Sequence, residues 1–460
     1  MTAVQNQIGA IENQKSAVQK RARLRPWRGS SSADDYFAGS VLRLEQFEHE
    51  IRAFTHRNER QLRESIEKAA RDSRDGKAVA PLAGMPVAVK EIIDSADFPT
   101  EHGSTLYRER RPTRNATCLQ RLVDAGALVL GMTTSTPFAC GTTTVTANPH
   151  RLEHTPGGSS AGSGAAVGAG FVPVALATQT GASTLRPASY CGAYGYKPSH
   201  GRYPMDGVHP LAETLDDVGV IAASVNDIER VDAVIAARTT DRLPAPAPTS
   251  VRIGWVRLDA GEEPDPASWA ALNRVRRHLT GVGMHGVTPV QSEDLAAFDS
   301  LVRGSTDRMF DIFAAESAPI LAQYVNRPDP EEDPRLAELV TRARTLDTED
   351  LAAAYELRAR LRAAHAQLAD SVDVLATLAT VNPAPAGHAR TGSRTMPATS
   401  SFLGLPAMSL PVMHVDGMPL GLQLIGFEDR DEELFALART IDAAFSGHSV
   451  GLSDCTKGTE

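Results

Sequence analysis

The sequence has few cysteines, no long apolar run and no excess of positive charge. Its four cysteines, Cys118, Cys140, Cys191 and Cys455, are widely spaced and form neither a C-x-x-C pair nor a zinc-ligand pattern, so no metal centre is expected and reduced thiols in a cytoplasmic protein fit best. No stretch approaches the roughly 18 apolar residues of a membrane span, and the first 29 residues contain no apolar core of signal-peptide length. Neither bilayer insertion nor export is expected. Lys and Arg number 47 against 56 Asp and Glu, for a net charge of −9. The longest basic cluster is RERR at 108 to 111, so a nucleic-acid partner is not expected either. No internal repeat is visible, which leaves solenoids aside.

What is present is an ordinary globular composition, 42% hydrophobic and 22% charged over 460 residues, enough for a substantial core. Residues 34 to 76 place Val41, Leu42, Leu44, Phe47, Ile51 and Phe54 at helical spacing among charges, predicting a helical lead-in. MPVAVK (85 to 90) then reads as a short buried strand, and ATCLQRLVDAGALVLGMTT (116 to 134) as helix, glycine turn and strand. Alternation of such units predicts a mostly parallel sheet covered by helices. The Gly- and Ala-rich run 157 to 170 suits a helix packed very close to its neighbours. VPVALAT and VRIGWVR read as strands, LPAPAPTS (243 to 250) as a surface connector, and LPAMSLPVMHVDGMPLGLQLIG (405 to 426) as two strands around an Asp-Gly turn.

Two serine-rich turns carry the chemistry. Ser160 in Gly158-Ser159-Ser160-Ala161-Gly162 matches the G-x-S-x-G nucleophile elbow, but loop residues precede it where an elbow needs a strand, and none of the 13 histidines sits in a recognisable triad context. Ser183 is better placed, because it follows the strand VPVALAT through TQTGA. The backbone amides of Thr180, Gly181, Ala182 and Ser183 in such a turn can form an oxyanion hole. A base is also required, and Lys90 at the end of an apolar strand is the candidate: desolvation lowers a lysine from about 10.4 and makes neutral amine available. Lys197 in GYKPS and the thiols Cys140 and Cys191 are read as structural.

Lys90 in GMPVAVKE, Ser159 and Ser160 in TPGGSSAGS and Ser183 in TQTGASTLRPA together resemble the amidase signature family, whose catalytic unit is a Ser-cisSer-Lys triad. Ser159 lies 24 residues before Ser183, as the bridging and nucleophilic serines of that family do. GYKPSHGR, LPAMSLP and DGMPLGLQLIG add to the resemblance, which runs from about residue 34 to 440. It implies an α/β fold, a large twisted mixed β-sheet covered by helices. Residues 1–75 form the lead-in, 76–234 the signature core, 235–370 a variable helical layer of the same domain, 371–445 the C-terminal part of the core and 446–460 a tail. It further implies hydrolysis of a small-molecule amide without cofactor, with Ser183 as nucleophile, Ser159 as proton shuttle, Lys90 as base, Ser160 orienting Lys90 and Thr178 within the network. Phe138, Ala139 and Cys140 fall where the family's acyl pocket begins, and family members are often dimers. The short loop ANPHRLEHTPGGSS and the TQTGAS-x-x-RP form look most like the malonamidase-type subgroup, in which an arginine at the position of Arg186 lies near an acidic substrate; Arg186 either reads a substrate carboxylate or ties down its own loop through a backbone carbonyl or an acidic neighbour. Gln179 and Leu185 stand where most members carry an Asp and an Arg, and Ala182 where they carry Gly. Two alternatives stay open: acyl transfer to an amine in a biosynthetic pathway, and an ammonia-supplying component of an amidotransferase complex.

Overall fold

The structure, a computed structural model, describes residues 33–58, 80–141, 144–237, 250–258, 262–325 and 333–445, with Arg60 and Glu64. The expected tail, most of the Pro-rich connector and residues 1–32, 59, 61–63 and 65–75 of the expected lead-in lie outside them.

Eleven strands form one sheet: β1 (Phe54–Arg57), β2 (Pro86–Lys90), β3 (Leu128–Thr133), β4 (Val174–Gln179), β5 (Tyr194–Lys197), β6 (Asp217–Ala222), β7 (Arg252–Trp255), β8 (His285–Val287), β9 (Val374–Leu378), β10 (Ala407–Val415) and β11 (Met418–Ile425). Their order is β1-β3-β2-β4-β6-β5-β10-β11-β9-β7-β8. The sheet is mixed rather than mostly parallel. β2 lies parallel between β3 and β4, and β7 parallel between β8 and β9, while the six other ladders among the described residues are antiparallel. Central β2 and β4 are buried along their whole length, which explains unbroken apolar runs instead of alternation. The β10–β11 hairpin turns at Asp416 and Gly417, with φ of 51° and 75°, the pair of positive values that a tight two-residue turn requires.

The lead-in departs from its pattern. A helix covers Ala33–Ile51, but Phe54, counted with its apolar face, begins edge strand β1, antiparallel to β3. The carboxylate of Glu48 accepts the amides of Ala53 (3.2 Å) and Phe54 (2.9 Å), and Arg52 takes φ 53°. The helix ends because a side chain captures the next backbone donors.

Three features bring the site together. Parallel pairing of β2 with β4 sets Val89 beside Leu176, so both strands end at the same edge and Lys90 comes next to Thr178. The Gly-rich helix Ala161–Gly168 packs against both strands and delivers Ser159 and Ser160 just before its first turn. A Cβ on Gly164 would lie 2.7 Å from the Pro187 side chain, and one on Gly168 would strike the Cys191 carbonyl; only glycine permits this approach. A second apolar core, which includes Leu185, Met309, Ile312, Phe313 and Leu361, joins the helices Ser305–Val325, Pro334–Thr345 and Thr348–Gln367 to that edge.

Candidate active site

Lys90 is fully buried, and its Nζ donates to Ser159 Oγ and to Thr178 Oγ1, each at 2.7 Å. Desolvation pulls its pKa down to about 7, against the opposing charges of Asp216 and Glu91 and with help from Arg186. The Gly158–Ser159 peptide is cis. Ser160, expected to orient Lys90, works one step removed: its hydroxyl donates to the Thr178 carbonyl and accepts the Thr178 amide, both at 3.3 Å, and so fixes the residue that holds the lysine. Ser160 is wholly buried, which is incompatible with an exposed nucleophile elbow.

Ser183 lies on the loop after β4 and faces a cavity shared with Ser159 and with Thr180, Gly181 and Ala182. Gln179, registered from the sequence only as a missing Asp, organises this loop. Its carboxamide oxygen accepts the amides of Thr184 and Leu185 at 3.0 Å each, and its nitrogen donates to Ser401 Oγ, which in turn donates to the Gly181 carbonyl. A neutral amide thus closes the turn without a buried charge. Thr180 donates to Asp216 at 2.6 Å, and Asp216 also accepts the amides of Leu211 and Ala212. Burial raises Asp216 to about 6 despite these bonds. The Asp216-Asp217 doublet at the mouth of an apolar strand was the available signal, because two adjacent carboxylates there need buried partners. Asp217 has Lys197 at 2.8 Å, which gives that lysine a structural task.

The expected substrate-binding residues divide. Ala139 and Cys140 line the cavity, and burial pushes the Cys140 thiol up to about 12, so it is no nucleophile at neutral pH. Phe138 does not line it; it turns away and stacks on Tyr324, with ring centroids 4.0 Å apart. Thr178 sits beneath Lys90. Arg186 lies at the cavity wall, yet its guanidinium is committed elsewhere: Nε and Nη2 donate to the Gly158 carbonyl, and Nη1 to those of Gly392 (2.7 Å) and Ser393 (3.3 Å). Of the two roles left open for Arg186, these bonds favour the structural one, tying two loops together. Residues without a sequence signal complete the wall: Met309, Phe310 and Phe313 of the helix Ser305–Val325, and Thr391 and Arg394 before the helix Thr395–Leu403.

A family model described as Amidase matches residues 38–435. The chain belongs to the amidase family. This amidase is 30% identical over 451 residues to a glutamyl-tRNA(Gln) amidotransferase subunit of Chloroflexus aggregans, covering 86% of this chain and 90% of that protein. It is 32% identical over 476 residues to the protein of the same name from Thermus thermophilus, covering 92% and 96%. Among solved structures it matches one described as "An unexpected vestigial protein complex reveals the evolutionary origins of an s-triazine catabolic enzyme", with TM-score 0.75, 25% identity and coverage of 90% and 95%. It also shares the fold of 6-aminohexanoate cyclic dimer hydrolase complexed with substrate, at TM-score 0.73, 24% identity and coverage of 90% and 94%. The large mixed sheet is the amidase signature fold, and this amidase is an enzyme of the amide-hydrolysing class. The sequence relatives are amidotransferase subunits and do not bear out the malonamidase-type assignment. Among the described residues, no helix is long and apolar enough to cross a membrane.

Proposed function

We propose that this amidase hydrolyses a small carboxylic amide through an acyl-enzyme on Ser183. Ser183 Oγ attacks the carbonyl carbon and passes its proton to Ser159 Oγ, which gives its own proton to neutral Lys90. The backbone amides of residues 180 to 183 stabilise the oxyanion. As the C–N bond breaks, the proton returns through Ser159 to the leaving nitrogen; water then cleaves the ester by the same relay. The observation that carries this reading is the 2.7 Å hydrogen bond from a buried, pKa-lowered Lys90 to Ser159, at a cavity that Ser183 also lines.

A fluorophosphonate adduct mapped by peptide mass tests it. The adduct is expected on Ser183, and Ser183→Ala should fold and lose hydrolysis by several orders of magnitude. An adduct on Ser160, or unchanged turnover by the Ala variant, would sink the reading.

A second reading, an ammonia-supplying component of a larger complex, draws support from the names of the relatives. The cavity weighs against glutamine as the donor: its described lining contains Arg186 and Arg394 but no carboxylate to face an α-ammonium. A malonamidase-type placement rests on the short loop ANPHRLEHTPGGSS and the TQTGAS-x-x-RP form, now that Arg186 is occupied. A homodimer is the assembly that the resemblance supports, the widely spaced cysteines point to a cytoplasmic setting, and sedimentation of the purified chain tests the dimer.

A further inference from the structure

Two arginines, Arg186 and Arg394, line the catalytic cavity, a third, Arg335, lies on the wall residue Phe310, and their situations differ. Arg186 is occupied by backbone carbonyls. Arg335 has the Glu338 carboxylate at 3.4 Å and lies on Phe310 with its guanidinium carbon 5.6 Å from the ring centre. Arg394 also lies on Phe310, at 4.6 Å, and lines the cavity, but no hydrogen bond or ion pair satisfies it among the described residues. Burial, with repulsion from Arg335 and Arg186, lowers it to about 9, which leaves it cationic at neutral pH. A half-buried guanidinium with five donors and a ring beneath one face keeps valence for a ligand in the cavity that it lines. The ring fixes the plane, so the fork is aimed before any ligand arrives. Arg186 holds the carbonyls of Gly392 and Ser393 and thereby anchors the segment that carries Arg394.

We propose that Arg394 is the specificity-determining residue of this site and selects amides that bear a carboxylate, which it takes in a two-pronged hydrogen bond while Ser183 attacks the amide carbon. The proposal rests on the Ser183 reading and deepens it by naming the substrate class. It also moves that task from Arg186, whose donors are occupied, to a residue whose donors are free.

The test compares succinamate with its neutral isostere succinamide, as kcat/KM, in wild type, Arg394→Gln and Arg394→Lys. Wild type should prefer the anion. The Gln variant should lower the anion-to-neutral ratio by about 10- to 100-fold, the worth of a charge-assisted bond, and the Lys variant should retain part of it. A wild-type ratio near one, or loss of equal size on both amides in Arg394→Gln, would overturn the proposal. Should the Gln variant not fold, inhibition of the wild type decides: succinate should compete with substrate, and indifference to millimolar succinate overturns it. Labelling of Ser183 with phenylmethylsulfonyl fluoride runs in parallel. Turnover of both amides without Ser183 labelling would count against the serine mechanism, while the ratio still decides Arg394.

Discussion

At the scale of single residues, Lys90 is useful only without its proton. With its pKa lowered to about 7, kcat/KM should climb through an acidic limb centred near pH 7 and level off above it. Lys90→Ala should remove the limb with most of the activity, and Lys90→Arg should do no better, because a guanidinium keeps its proton. Near-native turnover by the Arg variant would make Lys90 a structural cation. The position of the limb can be moved. After desolvation, the Asp216 carboxylate is the strongest influence on Lys90 and favours its protonated form. Asp216→Asn keeps an acceptor for Thr180 and removes the charge, so protonated Lys90 loses support and the limb should shift to lower pH. A limb that stays in place or rises would detach Asp216 from the base. Lys90 and Ser183 were legible because strand, turn and residue type coincide within a few positions. Asp216, Gln179 and Arg394 were not, since what makes them matter is a partner far along the chain.

Among the elements, the helix Ala161–Gly168 owes its place to absent side chains. A Cβ on Gly162 would overlap the Ala53 carbonyl oxygen and the Thr134 amide nitrogen, both backbone atoms that cannot swing aside. Gly162→Ala should therefore cost at least the upper end of the roughly 1–3 kcal/mol of overpacking. Gly181→Ala is the control: its Cβ would meet only the Met309 terminal methyl at 3.6 Å, so stability should stay within about 0.5 kcal/mol. Thermal unfolding separates the two, and equal shifts would mean that helix packing is looser than drawn. Arg186→Leu belongs here as well, because it strips donors from the Gly158 and Gly392 carbonyls of two loops. Each buried carbonyl left unpaired costs about 1–3 kcal/mol, and charged and neutral amides should suffer alike. Selective loss on the charged substrate would return Arg186 to substrate reading. The strands and helices themselves were readable from local periodicity. Their pairing was not: whether β4 meets β6 antiparallel, or Phe54 leaves a helical face for a strand edge, depends on segments that no short window contains.

Across the whole molecule, the proposed catalytic residues and the rest of the cavity wall come from different parts of the chain. Lys90, Ser159 and Ser183 stand at the ends of β2, the glycine-rich helix and β4 around the central sheet, where backbone geometry dictates residue type and leaves motifs behind. Met309, Phe310, Phe313 and Arg394 reach the same cavity from the later helices, whose sequence records only amphipathic packing. That division is why the reaction class was legible and the later wall residues were not. It also bears on whether a second protein is needed. The proposed nucleophile, shuttle and base all belong to one chain, and the helix Ser305–Val325 of that chain helps wall the cavity. The purified protein alone should therefore release ammonia from a small amide, at a rate proportional to its concentration over the range that sedimentation shows to hold one assembly state. Ammonia release that appears only with a copurifying partner, or that requires glutamine and an acceptor in the same assay, would assign the chain to an amidotransferase complex. Product analysis with an added amine settles the remaining branch: free acid alone supports hydrolysis, whereas a new amide would make water the lesser acceptor.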